Sequence, residues 1–393
     1  MSLTAEAFVA RDDAALNLPD AVPAPVLAVD MELISGEEWD RTVADFREVC
    51  QEQVHAFARI RWPGVALEPQ LFRLDGEVVG GVLMMIQTLP LGLGRIAVAK
   101  WGPVLADPSS RDEDALYAQM TETLIAHYAR SRRMFLSVWP HANLQGRNRR
   151  YEHLLARDFR AGARLLFPNR YIVNLRLSDE EQRKSFEQKW RYHLKKAEKA
   201  GLSFEHAGPE RLPDFAALYD RMLDRKKFAD HSAYDTVPAL MQVADERLRP
   251  EIFFVRHEGE VVAGAVIFKA GERAVYLYGA TNDKALPLRA GYFMHWHIIR
   301  WLRDNTPANW YDLGGTDGFH GLHQFKKGMA GAMGVITPVP PVANYAAYPL
   351  PRIIGSTAFA VRDWVQQLRR RIEWMGKDTA KPDQVRTDAA ETD

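Results

Sequence analysis

Alternation of apolar and polar positions marks two strand pairs that use nearly the same residues. Residues 76–84 read Gly-Glu-Val-Val-Gly-Gly-Val-Leu-Met and residues 259–267 read Gly-Glu-Val-Val-Ala-Gly-Ala-Val-Ile. Each copy follows a β-rich run, and Asp75-Gly76 or Glu258-Gly259 supplies a turn pair that tolerates positive φ, so each reads as a β-hairpin. The first copy continues through the strand-like run 95–102 to an amphipathic stretch over 116–128 and the mostly apolar run 134–138. The second continues through 273–279 to an amphipathic stretch over 292–302 and then Trp310-Tyr-Asp-Leu313. One unit of hairpin, helix and strand therefore occurs twice, and a repeated unit fixes the layout of the whole chain.

Other periodicities fill in the rest. Trp39, Val43 and Phe46 are spaced for one buried face of a helix over 36–50. The alternating run 171–177 predicts a strand. After it, Ser178-Asp-Glu-Glu181 is a capping box that starts a helix running toward Gly201, with Phe186, Trp190 and Leu194 on one face. The opposite face carries Arg183, Lys184, Lys189, Arg191, Lys195, Lys196 and Lys199, with Trp190 and Tyr192 interleaved. Such a stripe is either a solvated face or a site for phosphate. The ends, 1–29 and 377–393, lack periodicity and read as disordered tails. Between them the chain divides into a first domain at 30–166, a second at 167–350 and an amphipathic helix at 351–376.

Composition narrows the class. A chain of 393 residues is expected to form two domains. Lys plus Arg equals Asp plus Glu at 51 each, so overall charge gives no argument for nucleic acid, and no DNA partner is expected. The single cysteine, Cys50, rules out an internal disulfide, and no Cys/His spacing suggests a metal site. No stretch approaches the roughly 18 apolar residues of a membrane span, and the first residues lack a signal pattern, so a cytoplasmic location is expected.

Candidate chemistry gathers in the run from Trp310 to Gly328. Gly314 and Gly315 at a strand end let backbone N–H groups approach a ligand, and Lys326 can oppose developing negative charge. His295 and His297 lie two apart on a helix and cannot share a metal. His320 and His323 fall in the glycine-rich stretch, which reads as a loop, where local hydrogen bonding competes with a substrate contact.

Taken together, Lys189-Trp-Arg-Tyr-His-Leu-Lys-Lys-Ala-Glu-Lys-Ala-Gly201, Tyr276-Leu-Tyr-Gly-Ala280, Tyr311-Asp-Leu-Gly-Gly315 and Gly321-Leu-His-Gln-Phe-Lys-Lys-Gly328 resemble the FemAB family of peptidoglycan-bridge aminoacyltransferases. The turn Lys100-Trp-Gly-Pro103 is similar to that family's equivalent turn, and the likeness spans roughly 31–349 in order. The resemblance implies an α/β chain of the α+β type: two tandem GNAT-like acyltransferase domains, each a mixed sheet flanked by helices. It implies transfer of an amino acid from aminoacyl-tRNA to an amine of a peptidoglycan precursor, without a bound cofactor. Lys326 and Phe325 would then be catalytic. Lys189, Trp190, Arg191, Tyr278, Asp312, Gly314 and Gly315 would bind substrate, with Lys189 and Arg191 near the precursor's phosphates.

The chain also departs from the family. Residues 215–249 leave no room for the long helical arm that some members carry, and Leu286-Pro-Leu-Arg-Ala-Gly-Tyr292 has one glycine where a coenzyme A pyrophosphate loop has two. Acyl-CoA as donor in surface-polysaccharide assembly, and a non-catalytic RNA- or precursor-binding role, stand as alternatives. Asp312 and Asp317 are both candidates for proton removal, as are groups of the substrates. The C-terminal amphipathic segment, with Val361, Trp364 and Arg369 to Arg371, is expected to dock on the body, with a membrane-surface contact as the second reading.

Overall fold

The computed structural model describes residues 29–109, 112–144, 146–226, 233–316 and 318–361. The expected tails, Asp317 and the segment beyond 361 lie outside the described residues.

Two mixed sheets result from the repeat. In the first the strand order is Val29–Leu33, Ala66–Leu74, Glu77–Thr88, Arg95–Lys100, Phe135–Trp139, Ala343–Tyr345 and Arg160–Ala161, with Val104–Leu105 also paired to Glu77–Thr88. In the second it is Leu202–Ala207, Glu251–His257, Glu260–Phe268, Arg273–Thr281, Trp310–Asp312, Asn169–Asn174 and Val335–Pro338. Helix Glu113–Leu124 crosses over in the first module and Ala290–Asn305 in the second, and each leads into a parallel strand.

The repeat extends to single contacts. Asp75 and Gly76 have φ of 51° and 85°, Glu258 and Gly259 have 51° and 83°, and both hairpins carry a bulge one step before the turn, at Phe72/Arg73 and Val255/Arg256. Arg73 then donates to Gly76 O at 3.1 Å and to Glu32 at 2.9 Å. Its counterpart Arg256 donates to Gly259 O at 2.9 Å and to Glu205 at 2.6 Å.

Three expectations are corrected. The helix at 36–50 stops at Val43. The helix begun by the Ser178 capping box breaks at Phe186, whose ψ is 147°, and resumes as Gln188–Ala197. The strand Ala343–Tyr345, placed by sequence in the second domain, pairs with Phe135–Trp139 of the first sheet. The parallel strand of each module would otherwise leave an open edge, and an antiparallel strand covers it in both: Ala343–Tyr345 in one and Asn169–Asn174 in the other.

An apolar cluster joins the modules. Trp39, Phe57 and Leu71 of the first pack with Leu240, Leu248 and Phe268 of the second, all at most 3% exposed. Each such side chain contributes roughly 1.5–3 kcal/mol. At this seam Gly271 has φ 74°, and a Cβ there would lie 2.8 Å from Arg47 O, so no other residue fits. Glu272 N–H donates to the same carbonyl at 2.6 Å. No described helix is long and apolar enough to cross a membrane.

Candidate active site

A cleft of about 1210 Å³ opens between the modules, and both strand ends that follow the hairpins reach it. Pairing registers align the two walls. Ala99 faces Met84 and Val104 faces Gly81, while Tyr276 faces Ile267 and Ala280 faces Gly264. Lys100-Trp-Gly-Pro103 therefore occupies the place of Leu277-Tyr-Gly279. Lys100, Trp101, Leu277 and Tyr278 all line the cleft.

The parallel strand pairs differ beyond this point. In the first module pairing runs over five positions, from Ile96 and Phe135 to Lys100 and Trp139. In the second it covers three, from Arg273 and Trp310 to Val275 and Asp312, after which the strands part. By register Gly314 stands where the first module has Trp139. There the gap is filled by rings: Trp101 stacks on Trp139 at 4.8 Å and on His141 at 5.3 Å.

In the second module the gap holds backbone and one cation. Gly314 has φ 77°, and a Cβ there would lie 3.8 Å from Lys326 Nζ. Lys326 comes from helix His320–Ala330, a helix the sequence reading took for a loop, and it is 7% exposed. Its Nζ donates to Gly315 O at 2.5 Å and lies 5.9 Å from the ring of Tyr276. Behind it His295, 3% exposed, shares a 3.1 Å hydrogen bond with the Tyr311 hydroxyl. Burial first, and then the charge of Lys326, push the pKa of His295 down to about 3.

Asp312 is fully engaged. Its oxygens accept from Arg170 at 3.0–3.1 Å and from Gly314 N–H at 2.9 Å. At 2% exposure it holds Arg170 and the glycine turn in place. Burial lowers the basicity of Arg170, but the Asp312 carboxylate overrides this and raises it.

Arg61, Arg176 and Arg273 also line the cleft. Arg273 donates to Ala142 O at 3.1 Å, and Arg176 lies over the ring of Trp310 at 4.8 Å. Neither Arg61 nor Arg273 has a carboxylate partner among the described residues. A guanidinium in a cleft with no carboxylate paired to it is a place for an anion. Burial holds Arg273 below the usual guanidinium value. Beside it, burial and then the charges of Arg273, Arg150 and Arg170 keep His141 well below the ordinary imidazole range, and its Nε2 has no partner.

The structure thus brings together Lys326, Tyr278, Asp312, Gly314 and Gly315, and it sets the other expected site residues apart. Phe325 points away from the cleft into a ring cluster with Tyr292 at 4.9 Å and His295 at 5.6 Å, so it seats the helix that carries Lys326. Trp190 is 2% exposed and packs on Phe186 at 4.1 Å, which makes it core and not a surface for ligand. Arg191 donates to Lys184 O at 3.1 Å and to Phe186 O, satisfying carbonyls freed by the helix break. Lys189 is exposed on the same helix and does not line the cleft. His323 bonds the Tyr171 hydroxyl at 2.6 Å.

Arg170, Arg273, Arg61 and His141 were missed by sequence reading. The available signal was a lone Arg170 and a lone Asp312 in apolar strands, since buried opposite charges must find one another.

Comparison with known proteins agrees with this architecture. A model of the FemAB family matches residues 71–234, and a model of the acetyltransferase (GNAT) domain matches 184–327. A lipid II:glycine glycyltransferase of Staphylococcus saprophyticus is 28% identical over 120 residues, which is 28% of each chain. That of Staphylococcus aureus is 32% identical over 77 residues, 18% of each chain. The alignments thus span less than a third of these curated relatives. Among solved structures, the crystal structure of FemX superposes with a TM-score of 0.66 at 20% identity, covering 83% of this chain and 99% of its own. A conserved protein of unknown function from Bacteroides thetaiotaomicron gives a TM-score of 0.50 at 11% identity, with 81% and 98% covered. The repeated hairpins, the paired sheets and these matches together show two tandem GNAT-type domains, with a likeness to the FemAB family over residues 71–234.

Proposed function

We propose that the protein is an acyltransferase that moves an aminoacyl group from the activated ester of an aminoacyl-tRNA to an amine of a peptidoglycan precursor. The observation that carries this reading is the open strand end of the second module, where a buried Lys326 sits against Gly314 and Gly315 on the wall of an arginine-lined cleft. The relatives named for lipid II:glycine glycyltransferase support the precursor as acceptor, and the arginines suit its phosphates.

The chemistry asks for little. The amine nitrogen bonds to the ester carbonyl carbon, the oxyanion collapses, and the ribose oxygen leaves with a proton while the amine loses one. Lys326 is the fixed positive charge for the oxyanion. The Asp312 carboxylate, held by Arg170 and Gly314, positions the turn. The proton passes to the leaving oxygen or to a substrate group, so precise placement in the cleft supplies much of the rate.

The test is to incubate the protein with a muropeptide precursor and either charged tRNA or acyl-CoA, and to weigh the products by mass spectrometry. An aminoacyl adduct from charged tRNA is expected. Product from acyl-CoA alone would move the protein to the coenzyme A-dependent class, and no product from either donor would leave a binding role.

A further inference from the structure

The end of the first sheet remote from the cleft carries a surface that the reaction does not use. Three segments meet there: the loop 89–95, the turn 130–135 and the helix 349–361. They are joined by a small cluster in which Ile96, Phe135 and Ala346 are buried and Leu89, Ala358 and Phe359 pack against them. The helix docks through Phe359, whose ring lies 5.8 Å from Phe135, and through Gly355, where a Cβ would lie 2.2 Å from the Phe135 ring.

The outer side is apolar and unpartnered among the described residues. Leu350, Ile353 and Val361 are 66%, 65% and 54% exposed and share one face of the helix, which spans roughly 16 Å between the first and the last. Leu91 and Leu93 in the adjoining loop are 95% and 55% exposed. Single exposed leucines are ordinary, but five large apolar side chains on adjoining segments mark a contact surface.

The charge around it has one sign. Arg95, Arg130, Arg133 and Arg352 are exposed, and none of the three segments contains Asp or Glu. A groove of about 320 Å³ beside the helix adds Arg160, with Asp158 as its one carboxylate. A second copy docking through the same patch would set arginine against arginine.

We propose that this patch docks on an anionic lipid bilayer, with the leucines of the loop and the outer face of the helix entering the boundary between headgroups and acyl chains, and the arginines facing lipid phosphates. The strands run from Ile96 and Phe135 at the patch to Lys100 and Trp139 at the cleft, so docking leaves the cleft mouth clear. This inference goes beyond the assigned reaction, and vesicle binding reads it without any turnover.

Sedimentation of the full chain with vesicles tests it. Binding is expected to phosphatidylglycerol mixed into phosphatidylcholine and not to phosphatidylcholine alone, and it should weaken as salt rises. Leu91→Asp with Leu93→Asp should reduce binding by at least about tenfold. Arg95→Glu with Arg133→Glu should do at least as much, since each arginine near an anionic surface contributes about fivefold. Both pairs should keep the parental melting temperature. The proposal fails if the parent ignores lipid charge or if either pair binds like the parent. It also fails if the leucine pair instead dissolves a dimer seen by ultracentrifugation, or if ending the chain at residue 361 strengthens vesicle binding, because the patch would then belong to a second copy or to the chain's own tail.

Discussion

The two modules share hairpin, bulge and crossover helix, yet only one has room for chemistry at its strand end. Where the first module carries Trp139, stacked on Trp101 that in turn stacks on His141, the second carries Gly314, followed by Gly315 and overlooked by Lys326. Each module also sends a cation into the cleft from the helix after its last core strand. In the first it is Arg150, held by Glu48 at 2.6 and 2.9 Å. In the second it is Lys326, held by a neutral backbone carbonyl. The difference teaches that a duplicated fold can keep its scaffold in both copies while one copy fills its strand end with rings and the other leaves it open beside a buried cation.

The largest expected effect breaks or upholds that division directly. Lys326→Met should lower turnover by roughly 10²- to 10³-fold with little loss of stability. Trp139→Ala should cost about 1–2 kcal/mol of stability through the lost ring contacts and leave turnover close to the parent. Steady-state kinetics with thermal melts on both variants decides. Equal damage to turnover would remove the chemistry from the second module.

A second measurement sharpens the role of Lys326 as a charge. His295 has its folded pKa depressed to about 3, below its unfolded value of about 6.5. The unfolded chain therefore binds more protons between those values. The associated stability is present above about pH 6.5 and is lost as pH falls toward the folded pKa, with a slope approaching about 1.4 kcal/mol per pH unit. Denaturant melts from pH 7 to 4.5 should show this slope, and His295→Gln should flatten it. In Lys326→Met the imidazole should titrate higher, as followed by NMR. An unchanged titration would mean that the ammonium does not act on this pocket.

The smallest effect concerns the basic helix, which lies outside the comparison only if its cations are structural. Arg191→Ala should cost about 1 kcal/mol, from the two carbonyls it satisfies, and should leave precursor affinity unchanged in a binding titration. A tenfold loss of affinity with the fold intact would return the phosphate site to that helix.

The reading of the basic helix shows where sequence reasoning gave out. Of the seven cations of the stripe, Lys184 pairs with Glu180 at 2.7 Å, Arg183 pairs with Glu198, and Arg191 caps the carbonyls of Lys184 and Phe186, so three are engaged by the protein itself. Trp190, counted as an interleaved aromatic, obeys the apolar period that also marked Phe186 and Leu194, and periodicity was the better guide. The helix that carries Lys326 was read as a loop because its first turn holds Gly321 and follows a glycine-rich run. Packing of Phe325 and Met329 against the core overrides that local preference.

By itself the sequence determined the doubled hairpin, its turn geometry, the crossover helices and the Gly314-Gly315 break, because all of these are local and follow from residue spacing and backbone freedom. Only the tertiary structure decided which side chains share the cleft. Arg170 and Asp312 stand 142 positions apart, Arg273 and Ala142 131 apart, and a charge in an apolar strand does not announce its partner until the sheets are packed. The exchange of Ala343–Tyr345 into the first sheet was likewise invisible, since a strand of three residues has no period to read and is placed by the open edge of Phe135–Trp139 that it covers.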